Sequence, residues 1–263
     1  MDFQKELEAC LLAGSKAAAK VMEIYNDLSF EVETKSDDSP VTTADLAANA
    51  IILETLKKHF PQYPILSEET VDDLERLNSD SLFIVDPIDG TKDFIAHNDE
   101  FCINIAFAYK HEAVVGVVVI PALDKTYYAV KGKGAYLLDN KTKTLTRIHV
   151  SSKTSDLTCL TSRFFFCEED KAAINRHLDK ISAQYACGSA YKMCRIAEGK
   201  AEIVLRMRPG TKEWDTAAPQ VVVEEAGGLF LTIHDLKPIT YNRSQVKNVH
   251  PYIICNRKEN ILF

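Results

Sequence analysis

Two carboxylates three positions apart close an apolar run: Leu82-Phe83-Ile84-Val85 leads into Asp86-Pro87-Ile88-Asp89-Gly90-Thr91-Lys92-Asp93-Phe94. Acids held that close repel one another unless protons or cations neutralise them, and hard divalent cations prefer such oxygen donors. Gly90, Thr91 and Lys92 follow, and their backbone N–H groups can open a helix or nest that receives an anion. A cation cluster beside an anion cradle suits phosphate chemistry. The same residues also admit a purely structural reading, because Asp-Pro and Asp-Gly are ordinary turn dipeptides and Asp caps helices. Further acids at element boundaries weigh against that reading: Asp45, Glu68 with Glu69, and Asp215.

The elements that must position these acids follow from apolar spacing. Residues 2–27 carry Phe3, Leu7, Leu11, Ala18, Val21 and Tyr25 at a helical period and predict an amphipathic helix without chemistry of its own. Residues 30–34 alternate as a short strand, and 35–40 is a polar, proline-ended stretch expected to be a mobile loop. Thr42-Thr43-Ala44-Asp45 opens a second helix ending near His59, and Thr42 and Asp45 have capping-box spacing, which gives Asp45 a competing structural role. Residues 64–67 form a buried strand that delivers Glu68 and Glu69, and the charged residues 70–80 are expected to be a surface connection. Three β-rich runs at 101–109, 113–120 and 126–130 predict an antiparallel meander. The glycine-spaced turn at 131–136 leads into a further strand; no helix follows it, so a phosphate-loop role is set aside.

From about residue 150 strands alternate with helices, which places a boundary between an N-terminal α+β part carrying the acids (1–150) and a C-terminal α/β part (151–263). The second part is expected to contain a strand at 157–162, a helix at 168–181 and a strand at 183–187. That strand ends at Gly188-Ser189, with Ser189 capping a helix over 190–198. Lys192 lies one turn on; it is either a surface lysine or half of an anion clasp. A strand at 201–207 carries Arg206 near its end. A helix through Glu225 then opens at Glu213-Trp214-Asp215, with Asp215 as its cap and Pro219 tolerated in or near the first turn. Strands at 229–233 and 252–255 complete the chain.

The 263 residues allow one large domain or two modest ones, and the net charge of −7 is spread along the chain without blocks. That pattern argues against nucleic-acid or membrane-surface partners. Seven cysteines at 10, 102, 159, 167, 187, 194 and 255 form no C-x-x-C pair, no secretory signal opens the chain and no run spans a bilayer, so reduced thiols in the cytoplasm are expected. No P-loop, EF-hand loop, H-E-x-x-H or G-x-S-x-G motif is present.

Four blocks together, Asp86-Pro87-Ile88-Asp89-Gly90-Thr91, Ser67-Glu68-Glu69, Trp214-Asp215 and Glu225-Ala226-Gly227-Gly228, resemble the signatures of the inositol monophosphatase-like superfamily in order and separation. Residues 35–45, Gly90 to Ile95 with Asn98 to Phe101, Gly188-Ser189 with Lys192, and Ala197 to Gly199 are most similar to the 3′(2′),5′-bisphosphate nucleotidases of the CysQ type. The resemblance implies a layered α/β/α/β/α sandwich of the inositol monophosphatase and fructose-1,6-bisphosphatase type. It implies hydrolysis of the 3′-phosphate of adenosine 3′,5′-bisphosphate to AMP, and of PAPS to APS, with two or three Mg²⁺ ions and inhibition by Li⁺. By position it makes Glu68, Asp86, the Ile88 carbonyl, Asp89 and Asp215 metal ligands, with Asp86 bridging. Asp45 and Thr91 orient and deprotonate the attacking water, and Gly90, Thr91, Ser189, Lys192, Arg206 and Asp215 hold the substrate. Related sequences often read Ser-Arg-Ser-His where this chain has Ser162-Arg163-Phe164-Phe165, so a histidine able to hydrogen-bond the nucleotide is replaced by a ring that can only stack. Inositol phosphates and the 2′-phosphate of NADP stay open as substrates of the same acids, as does a non-catalytic metal-binding protein. A monomer or a homodimer, acting on a small nucleotide, is expected.

Overall fold

The computed structural model describes residues 1–27, 30–34 and 40–262, and positions 35–39 of the expected mobile loop lie outside the described residues. Helix α1 (Gln4–Asp27) is followed by a small antiparallel pair, β1 (Val32–Thr34) with β2 (Pro40–Thr42), and by helix α2 (Thr43–His59). A seven-stranded sheet then takes β3 (Ile65–Ser67), β4 (Ser81–Asp89), β5 (Cys102–Tyr109), β6 (Glu112–Ile120), β7 (Lys125–Val130), β8 (Gly134–Asp139) and β9 (Leu145–Ile148) in that spatial order. The short helix α3 (Thr91–Ile95) leaves the end of β4. β3 runs parallel to β4 and every later pair is antiparallel, which is the expected meander with one more strand, β9, than the spacing predicted.

The rest of the chain gives β10 (Leu157–Ser162), α4 (Glu168–Asn175), β11 (Ile181–Cys187), α5 (Tyr191–Ala197), β12 (Ile203–Arg206), α6 (Glu213–Glu225), β13 (Leu229–Thr232) and β14 (Tyr252–Cys255). These five strands form a second sheet in the order β11-β10-β12-β14-β13. β10 is parallel to β11 and β12, and β14 is antiparallel to β12 and β13.

Strand periodicity sorts the apolar side chains into three cores. On β4, Phe83 and Val85 face α1 and α2, where they meet Ala13, Ala17, Ile52 and Leu56. Leu82 and Ile84 turn to the other side, against α5, α6 and one face of the small sheet. The far face of the small sheet, Leu157, Cys159, Ile203 and Ile253, packs on Ala173 and Ile174 of α4. The layers therefore read α/β/α/β/α, as expected. Gly116 of β6 is where α6 comes closest to the large sheet: a Cβ there would sit 2.2 Å from the Ala218 carbonyl oxygen.

Several local expectations are corrected. The helix predicted over 168–181 stops at Asn175, and Ile181 already pairs with Leu157. Helix α6 starts two residues before Asp215, which is its third residue and accepts the Lys212 N–H on its side chain, so Pro219 lies beyond the first turn. Ser189 has a φ of 45° and stands one residue before the N-cap position, Ala190, although its Oγ does accept the Tyr191 N–H that opens α5, at 3.3 Å. The stretch 70–80 is not simply a surface connection, since Arg76 is only 3% exposed and bonds Asp72, Asn242 and the Arg243 carbonyl.

Candidate active site

Each acid stands where a rigid element ends. β4 carries Asp86 to 1% exposure, with its Oδ1 buried and without a hydrogen-bond partner among the described residues. The ladder to β5 shifts register between Asp86 and Asp89, and Gly90 then takes a left-handed φ of 90°, which a side chain disfavours, to turn the chain into α3. Asp215 comes from the first turn of α6. One oxygen from each of Asp86, Asp89 and Asp215 lies within 4.8 Å of the other two. Glu68, one residue beyond β3, lines the same cavity but is not in that tightest group of three. Its backbone N–H is held by the Val85 carbonyl at 3.2 Å.

The carboxylates are fixed by donors that each take one oxygen. Asp89 Oδ2 accepts the Ala190 N–H at 2.5 Å and Asn104 Nδ2 at 3.2 Å, and Asp215 Oδ2 accepts the Lys212 N–H at 2.5 Å. Asp45 Oδ2 accepts both the N–H and the hydroxyl of Thr42, at 2.8 and 2.5 Å, so the expected capping box is formed. Its Oδ1 is left to the Thr91 hydroxyl at 3.3 Å, and the Ile88 carbonyl lies 3.4 Å from the same hydroxyl. Asp45 thus has a structural bond on one oxygen and a cavity-side bond on the other.

Burial sets the protonation of this cluster. It pushes Asp86 well above the usual carboxylate range, with the charges of Glu68, Asp89, Asp215 and Asp45 adding to the effect. Burial raises Asp89 to about 6 against the opposing charge of Lys192, and Asp215 to about 7 with help from Asp89 and Glu68. Asp45 is raised to about 6 by burial, opposed by its bonds to Thr42. An all-oxygen donor set with an orphaned buried oxygen and mutual repulsion fits a hard divalent cation, which relieves burial, missing partner and repulsion at once.

The remaining predicted residues line one cavity of about 370 Å³ with the acids: Gly90, Thr91, Ser189, Lys192 and Arg206. Ser189 turns its hydroxyl back to the Glu100 carbonyl and to Cys102 Sγ, and its own carbonyl receives Lys192 Nζ. Arg206 Nη1 donates to the Phe165 carbonyl at 2.8 Å, while its Nε is buried without a partner. Phe164 and Phe165 are 43% and 56% exposed and wall the opposite side, with Lys92 Nζ 4.6 Å from the Phe165 ring centre. Sequence reasoning missed Asn104, a fully buried amide paired across β4–β5 with Asp86, whose one signal is a lone amide in an apolar strand. It also missed Lys92, Phe165 and Glu100.

A model of the inositol monophosphatase family matches residues 3–260. The 3′(2′),5′-bisphosphate nucleotidase CysQ of Salmonella typhimurium is 36% identical over 232 residues, which are 87% of this chain and 89% of that protein. The crystal structure of CysQ from Bacteroides thetaiotaomicron, 31% identical, covers 97% of this chain and 99% of its own with a TM-score of 0.84. An IMPase of Thermotoga maritima, 26% identical, covers 95% and 92% with a TM-score of 0.80. Among the described residues no helix is long and apolar enough to cross a membrane. Matched from its third residue almost to its last, with the layered fold of these relatives, the chain belongs to the inositol monophosphatase family.

Proposed function

We propose that the protein is a Mg²⁺-dependent phosphomonoesterase that hydrolyses the 3′-phosphate of adenosine 3′,5′-bisphosphate to AMP and phosphate. One observation carries the chemistry: the convergence of Asp86, Asp89 and Asp215 within 4.8 Å, with Thr91 lining the same cavity and Asp45 buried behind it. Glu68, Asp86, the Ile88 carbonyl, Asp89 and Asp215 would hold the ions. Bound there, Mg²⁺ supplies acidification of the attacking water and charge neutralisation at the leaving ester oxygen.

The chain's own residues do the rest. Thr91 Oγ1 orients the attacking water, takes its proton and passes its own to Asp45 Oδ1, 3.3 Å away. Asp45 is a usable acceptor because burial lifts it to about 6, close to neutral pH. The N–H groups opening α3 after Gly90 receive phosphate oxygens and set the in-line geometry before the bond is made. Lys192 and Arg206 offer positive charge to the second phosphate, and the Phe164–Phe165 wall offers a face to the base. That wall favours a nucleotide over inositol phosphates, which have no ring to stack, and the CysQ relatives are named as bisphosphate nucleotidases.

Phosphate release from adenosine 3′,5′-bisphosphate, PAPS, inositol 1-phosphate, inositol 1,4-bisphosphate and NADP, each with Mg²⁺ and with chelator, tests the reading. Metal-dependent turnover led by the adenosine bisphosphate is expected. Turnover led by an inositol phosphate would overturn the substrate assignment, and turnover in chelator would overturn the metal.

A further inference from the structure

Outside the acid cluster, three segments from different elements meet on one carboxylate. Glu100, in the connection between α3 and β5, accepts Arg163 Nη2 at 2.6 Å, Arg163 Nε at 3.0 Å and the Gly188 N–H at 2.7 Å, all on Oε2. Arg163 immediately precedes Phe164, at the root of the aromatic wall. Its Nη2 also reaches the Ala186 carbonyl at 3.3 Å, and its Nε lies 3.7 Å from Asp93 Oδ1 on α3. Gly188 precedes Ser189, which bonds the Glu100 carbonyl, and Ala190, whose N–H holds Asp89. The fit is close: a Cβ at position 188 would fall 2.5 Å from Asp93 Oδ1.

The connection bearing Glu100 belongs to the large-sheet half, directly after the acid motif. Arg163 and Gly188 belong to the small-sheet half, which carries the wall, Lys192 and Arg206. The side chains of Arg163 and Glu100 are 36% and 20% exposed, so the pair fills no core position, and half-exposed ion pairs contribute little to stability. A forked arginine gives direction as well as energy. Its geometric effect here is to fix how far the wall stands from the acids.

We infer that Glu100 and Arg163 form a clasp that positions the aromatic wall and the start of α5 over the acid cluster, and so sets selectivity for a base-bearing phosphate ester. The inference rests on the nucleotidase reading. Both are positioning residues; neither touches the acids Asp86 or Asp215 in the structure. A substrate that spans from the acids to the wall depends on the clasp, and a small ester that occupies only the acid end does not gain from it.

The test compares Arg163→Met, Arg163→Lys and Glu100→Gln with the wild type, measuring kcat and KM for adenosine 3′,5′-bisphosphate and for glycerol 2-phosphate in Mg²⁺. Glu100→Gln keeps an acceptor for the Gly188 N–H while removing the charge. Arg163→Met should raise KM for the nucleotide about tenfold more than for glycerol 2-phosphate, with kcat on the nucleotide falling by less than about threefold and Arg163→Lys recovering part of the loss. Equal losses on both substrates would reduce the pair to general stability and overturn the inference, as would an unchanged nucleotide KM. If Arg163→Met does not fold, Glu100→Gln is read by the same ratio. A wild type that fails to turn over the nucleotide defeats the functional reading itself, and the clasp with it, before any variant is compared.

Discussion

Replacing Asp86 by asparagine should make the metal-free protein more stable while making Mg²⁺ less able to stabilise it. Each of Asp86, Asp89 and Asp215 offers an oxygen within 4.8 Å of the others. Two unit charges at that distance repel by about 3.5 kcal/mol at an effective dielectric of about 20. Protonation caps the cost: Asp89 and Asp215 titrate at about 6 and about 7 in the fold against 3.8 in a free carboxylate. Between those limits the folded state holds protons that the unfolded chain has released, so the contribution of these two acids to stability is greatest at low pH and is lost as pH rises through about 7. Above that range Asp89 and Asp215 are ionised in the wild type in chelator, and Asp86, itself held well above the usual carboxylate range, adds to the repulsion as it too loses its proton. The asparagine side chain of Asp86→Asn keeps the shape, removes one charge and places a donor beside the remaining carboxylates. The gain at pH 8 in chelator is expected to be about 2–4 kcal/mol, a rise of about 5 °C in melting temperature for a chain of this length, and much smaller at pH 5. Saturating Mg²⁺ should raise the wild-type melting temperature by more than it raises the variant's. A variant less stable than wild type in chelator at pH 8, or equal Mg²⁺ shifts for both, would refute the electrostatic account of the cluster.

Thr91→Val removes the hydroxyl between Asp45 and the cavity without changing side-chain shape, and should lower kcat by about 10²-fold or more with Mg²⁺ affinity by calorimetry nearly unchanged. A kcat within a few-fold of wild type would remove Thr91 from the proton path. Glu224 of α6, which accepts from Gln220 Nε2 at 3.0 Å, is raised to about 7 by burial, so its contribution to stability also falls as pH rises from 4.5 to 7. Glu224→Gln should therefore outlast wild type in urea at pH 8 by about 1–3 kcal/mol and show little advantage at pH 4.5, and a pH-independent difference would contradict this. Gly116→Ala drives a methyl into the Ala218 carbonyl and should cost about 2 kcal/mol or more, read as a lower urea midpoint; a neutral result would mean that α6 shifts freely off β6.

What was legible in the sequence is what local spacing encodes. The apolar run of β4, the capping box of Thr42 and Asp45, and the strand-end placement of Asp86 and Asp89 follow from neighbours a few residues away. So does the order of elements that builds the layers. The sequence blocks also led to the gathering of Asp215 with the first two acids. What was not legible depends on partners from distant chain. Ser189 has the side chain of a helix cap and its Oγ does accept the Tyr191 N–H at 3.3 Å, but its left-handed backbone places it one residue before the N-cap, with its hydroxyl donated to the Glu100 carbonyl of a distant connection. Arg76 lies in a charged stretch that reads as surface; Asp72, four residues back, neutralises it, and Asn242 and the Arg243 carbonyl, far along the chain, take its remaining N–H groups. Pro219 sits deeper in α6 than expected because the helix begins at Glu213, whose buried carboxylate is taken by the N–H groups of Asn242 and Arg243.

The same physics explains how mutually repelling acids are held in fixed directions. Asp45, Asp89 and Asp215 each commit one oxygen to backbone N–H donors, and those donors belong to elements anchored in apolar cores. The second oxygen of each is then fixed in direction by a bond made elsewhere, so orientation does not depend on what binds between them. Asp86 differs: its Oδ1 is buried with no donor, and the charges of Glu68, Asp89, Asp215 and Asp45 all bear on it. A buried carboxylate oxygen without a partner is costly, and a proton or a cation relieves it. On the proposed reading the cluster takes protons at low pH and divalent cations at neutral pH, and a tenfold rise in proton concentration should then weaken Mg²⁺ binding wherever a ligand must first be deprotonated. Asp86, whose Oδ1 has no donor among the described residues, is on the proposed reading the acid that gains most from a bound cation.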